Sequence, residues 1–169
     1  MTRHSHDARR PVAVACGVVT ASDTRTAATD TSGALIEQLL TEAGHRLVAR
    51  TVVPDEPAAI VAAVDDLLDR GGRAILINGG TGIAPRDRTF DAVSSLVERP
   101  LPGFGELFRM LSYQEIGSAA MLSRATAGIY RSGLLVSMPG SRAAVALAME
   151  RLVLPELGHV SSELRWDSM

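Results

Sequence analysis

The chain has 169 residues, 46% hydrophobic and 21% charged, the size and balance of one soluble globular domain, and nothing in it requires a second. A net charge of −2 with scattered cationic residues gives no electrostatic footprint for nucleic acid, and the polar start MTRHSHDARR lacks the apolar region of a secretory signal. No apolar run approaches the roughly 20 residues of a membrane span, so a cytoplasmic protein with neither nucleic-acid nor membrane partners is expected.

Residues 1–10 carry His4 and His6 with no further ligand nearby and read as a flexible polar arm rather than a metal site. Val12 to Thr20 is apolar on successive positions and rich in valine, the pattern of a strand covered on both faces. Cys16, inside that run, reads as a buried thiol with no disulfide partner. The strand ends in Ser22 and Asp23, which are either turn and capping groups or ligand contacts. Leu35, Ile36, Leu39 and Leu40 predict a helix from Ser32, closed by Gly44. Arg46 to Val53 reads as a strand, and Pro54-Asp55-Glu56-Pro57 opens a helix with Ile60, Val61, Val64, Leu67 and Leu68 on its apolar face. Asp55 stands where an N-cap belongs, and capping alone would explain it.

Ala74 to Asp87, AILINGGTGIAPRD, is a strand that halts in Gly79, Gly80, Thr81 and Gly82 before Arg86 and Asp87. Glycines after a strand let main-chain N–H groups approach a ligand, and phosphate uses such donors best. Arg86 could hold phosphate oxygens or pair with an acid, and Asp87 could hold Mg2+. Thr89 to Val97 predicts a short helix carrying Asp91, a first-turn acid favoured by the helix dipole. Phe104, Leu107, Phe108 and Leu111 predict another, with Arg88 and Arg109 read as surface or subunit-contact residues. Gly133 to Ser137 is a further strand, ending in Pro139, Gly140 and Ser141; Ser141 caps a helix that Pro155 is expected to stop. Residues 161–169 read as a short tail. Every basic residue, 17 in all, is arginine, so P-loop and Schiff-base chemistry are ruled out despite the glycine loop.

Alternating strands and helices predict an α/β fold, a mostly parallel sheet covered on both faces, with ligands at the carboxyl ends of its strands. Three polar loops fall at such ends: Ser22-Asp23, Gly79 to Asp87, and Pro139 to Ser141.

VVPDE at 52–56, NGGTGIAPRD at 78–87, PGFGE at 102–106, LSRATAG at 122–128 and MPGS at 138–141, in this order, resemble the MogA/MoaB family of molybdenum cofactor biosynthesis proteins. The stretch FRMLSYQEIGSAAMLSRA is more similar to the MoaB branch. The resemblance implies a three-layer α/β/α sandwich, one molybdopterin-binding domain over residues 11–160, and transfer of adenylate from ATP to molybdopterin with release of pyrophosphate. It makes Asp55 and Asp87 the catalytic acids that hold Mg2+ on the nucleotide. It places Gly79, Gly80, Thr81 and Gly82 around phosphates, Ser112, Ser123 and Arg124 near the pterin phosphate, and Pro139, Gly140 and Ser141 near the nucleotide. Members of the resembled family commonly carry a lysine shortly after the PG motif, where this chain has Arg142 and Ala143. A homotrimer or homohexamer is implied, with other cofactor-biosynthesis proteins as possible partners; the alternative is a non-catalytic oligomer that binds pterin or nucleotide.

Overall fold

Valine and isoleucine runs flanked by glycine, proline and small polar residues fold as strands here, and the helical stripes between them cover both faces of the sheet. The structure, a computed structural model, describes residues 12–166; the expected arm of residues 1–10 and the final part of the expected tail lie outside them. In chain order the elements are β1 (Ala15–Ala21), α1 (Thr31–Glu42), β2 (Arg46–Val53), α2 (Pro57–Asp69), β3 (Ala74–Asn78), α3 (Thr89–Leu96), β4 (Arg99–Pro100), α4 (Pro102–Ile116), β5 (Thr126–Tyr130), β6 (Gly133–Met138), α5 (Arg142–Ala148) and α6 (Leu154–Glu163). A 3-10 segment, Gly117–Leu122, follows α4.

The strands form one six-stranded sheet in the order β2-β1-β3-β6-β5-β4. β2, β1, β3 and β6 run parallel, whereas β5 is antiparallel to both β6 and β4. Side chains alternate across the sheet as the two-residue period of a strand requires. Cys16, Val18, Leu76, Leu134, Val136 and Met138 pack with Leu35, Ile36, Phe108, Val145 and Met149 on the α1, α4 and α5 side. Val19, Ile75, Ile77 and Leu135 pack with Val64, Leu67 and Val93 on the other. The result is the expected three-layer sandwich with a mostly parallel sheet. Cys16 is fully buried, and desolvation pushes its thiol up to about 12, so it acts as a core residue.

Register decides where the loops emerge. Ala21 lies opposite Val53, Thr20 opposite Asn78, and Asn78 opposite Met138, so four parallel strands end in one row. The next residues, Ser22, Pro54, Gly79 and Pro139, leave the same edge of the sheet. Because β2 and β3 flank β1 on opposite sides, this edge includes the crevice where strand order reverses.

Pro155 does not stop the last helix. The helical path runs from α5 through a π-helical segment, Met149–Val153, into α6, and Pro155 falls in the first turn of α6. The wider π turn changes the bonding pattern just where proline has no N–H to offer, so the chain stays helical. Residues 161–163 therefore belong to α6 rather than to a tail. Trp166 is also buried, its Nε1–H donating to the Ser132 carbonyl at 2.8 Å.

A buried polar chain ties the end of β1 to α1 and β2. Asn78 Nδ2 donates to Thr20 Oγ1 at 2.8 Å, and Thr20 Oγ1 donates to Asp30 Oδ2 at 2.9 Å. Asp30 also caps α1, its Oδ1 accepting from the Gly33 N–H at 2.9 Å, and its Oδ2 pairs with Arg50 at 3.1 Å. Asp30→Ala removes the cap, leaves the half-buried Arg50 with Glu37 as its one acid and the Ala27 carbonyl, and strips Thr20 of its acceptor. Chemical denaturation is expected to show a loss of about 3 kcal/mol; a loss within the range of an ordinary surface substitution contradicts this network as a stabilising element.

Candidate functional site

The glycines after β3 are required by crowding at the sheet edge. Gly79 has φ +96 and faces the Ala21 carbonyl oxygen so closely that a Cβ would collide with it. Gly80, at φ +60, lies against the Asp55 carboxylate, where a Cβ would stand 2.5 Å from Oδ2. Gly140 approaches Gly79 from the β6 side, its own Cβ position 3.1 Å from the Gly79 Cα. The three polar loops thus converge, joined by the turn after β2 that carries Asp55.

Asp55 does not cap α2. Glu56 occupies that position without a side-chain bond, and Asp55 turns instead to the start of α3. Its Oδ1 accepts from the Arg88 N–H at 3.2 Å and from the Thr89 hydroxyl at 3.3 Å. In the neighbouring loop, Asp87 Oδ2 accepts from the Ala84 N–H at 2.9 Å. Asp55 Oδ2 and Asp87 Oδ1 have no hydrogen-bond partner among the described residues. Asp23 is held at both oxygens: Oδ1 accepts from the Asp55 N–H at 3.0 Å, and Oδ2 pairs with Arg86 Nη2 at 2.6 Å. Of the two roles left open for Arg86, this conformation has the acid pairing.

Burial, followed by the negative fields of Asp87 and Asp23, pushes the Asp55 carboxyl above its ordinary 3.8, against the pull of the hydrogen bonds from Arg88 and Thr89. Acids that repel one another while keeping free oxygens fit a divalent cation. No group of three or more His, Cys, Asp or Glu among the described residues is placed to hold one unaided. That donor set suits Mg2+, which binds through one or two carboxylates together with phosphate oxygens and water.

Arg124 braces the loop. Its backbone N–H donates to the Thr81 carbonyl and its Nε to the Gly82 carbonyl, each at 2.8 Å, while Nη2 donates to the Asp87 carbonyl. The guanidinium lies 5.0 Å from the Phe90 ring centre and reaches Asp91 at 3.4 Å. Asp91, at the start of α3, is therefore an ion-pair partner as well as a dipole-favoured acid. Arg109, partly exposed, is a second brace, donating to the Ser123 and Ala125 carbonyls at 3.3 and 3.1 Å. Arg88 fits its surface reading, exposed and 3.9 Å from Asp91.

Ser123 and Arg124 line a cleft of about 450 Å³ with Arg109 and Phe90, and Asp87 and Arg124 line an adjoining one of about 360 Å³. Ser22 and Asp23 border a third, of about 540 Å³, beyond the Arg86 pair. Pro139 and Gly140 lie beside Gly79, and Ser141 caps α5 by accepting from the Ala144 N–H at 3.2 Å. Thr81 is buried beneath the loop, whereas Ser112 is buried on α4, on the core side of that helix. Sequence reasoning missed Asp30, Ser32 and Thr89. Ser32 Oγ donates to the Gly140 carbonyl at 2.8 Å, tying α1 to the β6 loop. An Asp-Thr-Ser run before the apolar stripe of α1 is a capping signal that could have drawn attention to the first two.

Residues 17–159 match the family model described as "Probable molybdopterin binding domain". The chain belongs to this family. Within this molybdopterin-binding domain family it falls on the MoaB-like branch. It is 50% identical to molybdenum cofactor biosynthesis protein B of Bacillus subtilis, over 99% of each chain. A crystal structure of a molybdenum cofactor biosynthesis protein B superposes with TM-score 0.90 at 50% identity, covering 93% of this chain and 99% of that one. The tungsten cofactor synthesizing protein MoaB from Pyrococcus furiosus gives 0.84 at 34% identity, with 92% and 99% covered.

The raised Asp55 carboxyl carries a stability consequence. The folded chain holds this proton more tightly than the unfolded one, so the group's contribution to stability declines as pH rises from 3.8 through the raised folded value. Asp55→Asn keeps an Oδ1 acceptor for Arg88 and Thr89 and removes the charge. It is expected to raise Tm at neutral pH, with the gain fading as pH falls through the raised folded value towards 3.8. A folded variant with lower Tm at neutral pH counts against burial and mutual repulsion as the main influences on this carboxyl.

Proposed function

We propose that the chain acts in molybdenum cofactor biosynthesis as a Mg2+-dependent adenylyltransferase that joins AMP from ATP to the terminal phosphate of molybdopterin and releases pyrophosphate. The observation that carries this reading is the juxtaposition of Asp55 and Asp87, from loops after different strands, around one glycine turn at the sheet edge. Asp55 and Asp87 would hold the Mg2+, which supplies charge neutralisation on the nucleotide phosphates. Gly79, Gly80 and Gly82 let the turn close against the Ala21 carbonyl, Asp55 and Asp87, which sets both acids at the turn where phosphate would bind. Ser123, Arg124 and the cleft they share suit the phosphate end of the pterin, with Arg124 acting mainly by fixing the loop. Pro139, Gly140 and Ser141 suit the nucleotide.

Attack of a molybdopterin phosphate oxygen on the α-phosphorus needs alignment and charge compensation more than proton transfer from the protein. The buried polar chain and the arginine braces support the first, and the two acids would support the second by holding the cation. Arg142, just after the PG motif, donates one N–H to the Thr31 carbonyl at 3.2 Å and keeps further donors for an anion.

Purified protein given molybdopterin, ATP and Mg2+ is expected to form adenylylated molybdopterin. Asp87→Asn and Asp55→Ala should lower turnover by about 100-fold or more while remaining folded. Absence of product from the unaltered protein, under conditions where a competent adenylyltransferase works, defeats the enzymatic reading. Calorimetry separates the non-catalytic alternative, which gives saturable ligand binding without turnover or dependence on Mg2+.

The implied trimer or hexamer has a candidate surface in α4, where Leu107, Met110, Tyr113 and Ile116 are exposed, continued by Met121. Sedimentation is expected to give a trimeric or hexameric mass, and Met110→Glu with Ile116→Glu should lower it. A monomeric unaltered protein contradicts the assembly.

A further inference from the structure

The Arg86–Asp23 pair joins the loop after β1 to the loop after β3 across residues 63 apart in sequence, and it lies at the mouth of the site. Its two ends differ in how firmly they are held. Asp23 is anchored through Oδ1 by the Asp55 N–H, which leaves the Oδ2 contact as the exchangeable one. Arg86 is 64% exposed and Asp23 45% exposed, so the bond is strongly screened and weak enough to open. The neighbouring cations are engaged elsewhere: Arg124 with the Gly82 and Asp87 carbonyls, and Arg88 near Asp91.

Opening the pair has an electrostatic consequence that depends on the ligand. A free polyphosphate that takes Arg86 leaves the Asp23 carboxylate unpaired beside Asp55, Asp87 and the incoming anion. A bare cation that takes Asp23 leaves Arg86 without its acid. A polyphosphate whose divalent cation is held by Asp55 and Asp87 engages Arg86 and at the same time brings positive charge beside Asp23.

We infer that the Arg86–Asp23 ion pair is a latch over the site that selects metal-complexed polyphosphate over free polyphosphate, with Asp23 as the positioning residue that sets the availability of Arg86. The inference rests on the proposed nucleotide-phosphate reading of this same site and adds how it discriminates between forms of the ligand.

Asp23→Asn keeps the Oδ1 acceptor for the Asp55 N–H and removes the bond to Arg86, which makes it the informative variant. Calorimetry with inorganic pyrophosphate, with and without Mg2+, on the unaltered chain, Asp23→Asn, Arg86→Gln and the double variant tests the latch, with circular dichroism as the check on folding. The unaltered chain is expected to favour the Mg2+ complex, and Asp23→Asn to narrow that preference by tightening free pyrophosphate. The tightening should be about threefold greater with Arg86 present than in the Arg86→Gln background, as expected for loss of an exposed pair. Equal tightening in both backgrounds is a general charge effect and overturns the latch, as does no tightening at all. Failure of the unaltered chain to bind pyrophosphate in either form overturns the phosphate reading and the latch together, whereas binding without coupling overturns the latch alone.

Discussion

Close approach of main chain to main chain at the end of β3 is the constraint on which the rest depends. Gly79 runs past the Ala21 carbonyl on one side and Gly140 on the other, and Gly80 turns against Asp55. No residue with a Cβ fits there without moving the β1 loop, the β6 loop or the acid, and both glycines also hold positive φ. Hydrogen bonds fix the arrangement from each direction. The Gly79 N–H donates to the Met138 carbonyl, the Thr89 N–H to the Gly80 carbonyl, and Ser32 holds Gly140 from α1. The sheet brings the loops to one edge, and the missing side chains let them meet.

Charge is distributed around this meeting point in a way that reflects an arginine-only chain. Arg50, Arg109 and Arg124 use the several donors of the guanidinium to reach carboxylates and backbone carbonyls at once, a task for which one ammonium offers poorer geometry. They act as struts in the walls of the clefts. The acids are left less satisfied: Asp55 and Asp87 each keep a free oxygen, and Asp55 is pushed towards its neutral form by burial and by its neighbours. A site built only for stability would have paired those oxygens. The imbalance is electrostatic, and under the proposed reading a cation carried in with the ligand would relieve it.

The layered fold was legible because it rests on local periodicity. Valine-rich β1 reads as a strand covered on both faces, and the stripe at Leu35, Ile36, Leu39 and Leu40 reads as a helix, since burial imposes these repeats on neighbouring residues. The glycine run at 79–82 was legible for a similar reason, a steric demand met by residue type. Asp55 was harder. An acid before Pro57 has the local form of a cap for α2, whereas its partners Arg88 and Thr89 lie 33 and 34 residues on, and no local pattern reports them. Arg109 and Asp30 were obscured in the same way, because their acceptors and donors are set by tertiary contacts. Pro155 misled through a sound rule, for a π segment supplies a break in bonding that proline can occupy.

The arrangement of braces also changes what the SRAT segment, Ser123 to Thr126, contributes. Arg124 touches the glycine loop through three carbonyl acceptors, at Thr81, Gly82 and Asp87, and so holds both ends of the turn that presents the Asp87 carboxylate. A loop fixed from behind leaves its N–H groups and the free Asp87 oxygen directed by the backbone rather than by ligand contact. For the proposed transfer, such preorganisation would lower the rearrangement needed as charge develops at phosphorus. With the loops fixed by backbone contacts and the inner arginines committed as struts, adjustment falls to the exposed Arg86–Asp23 pair, the contact at the mouth that solvent already weakens.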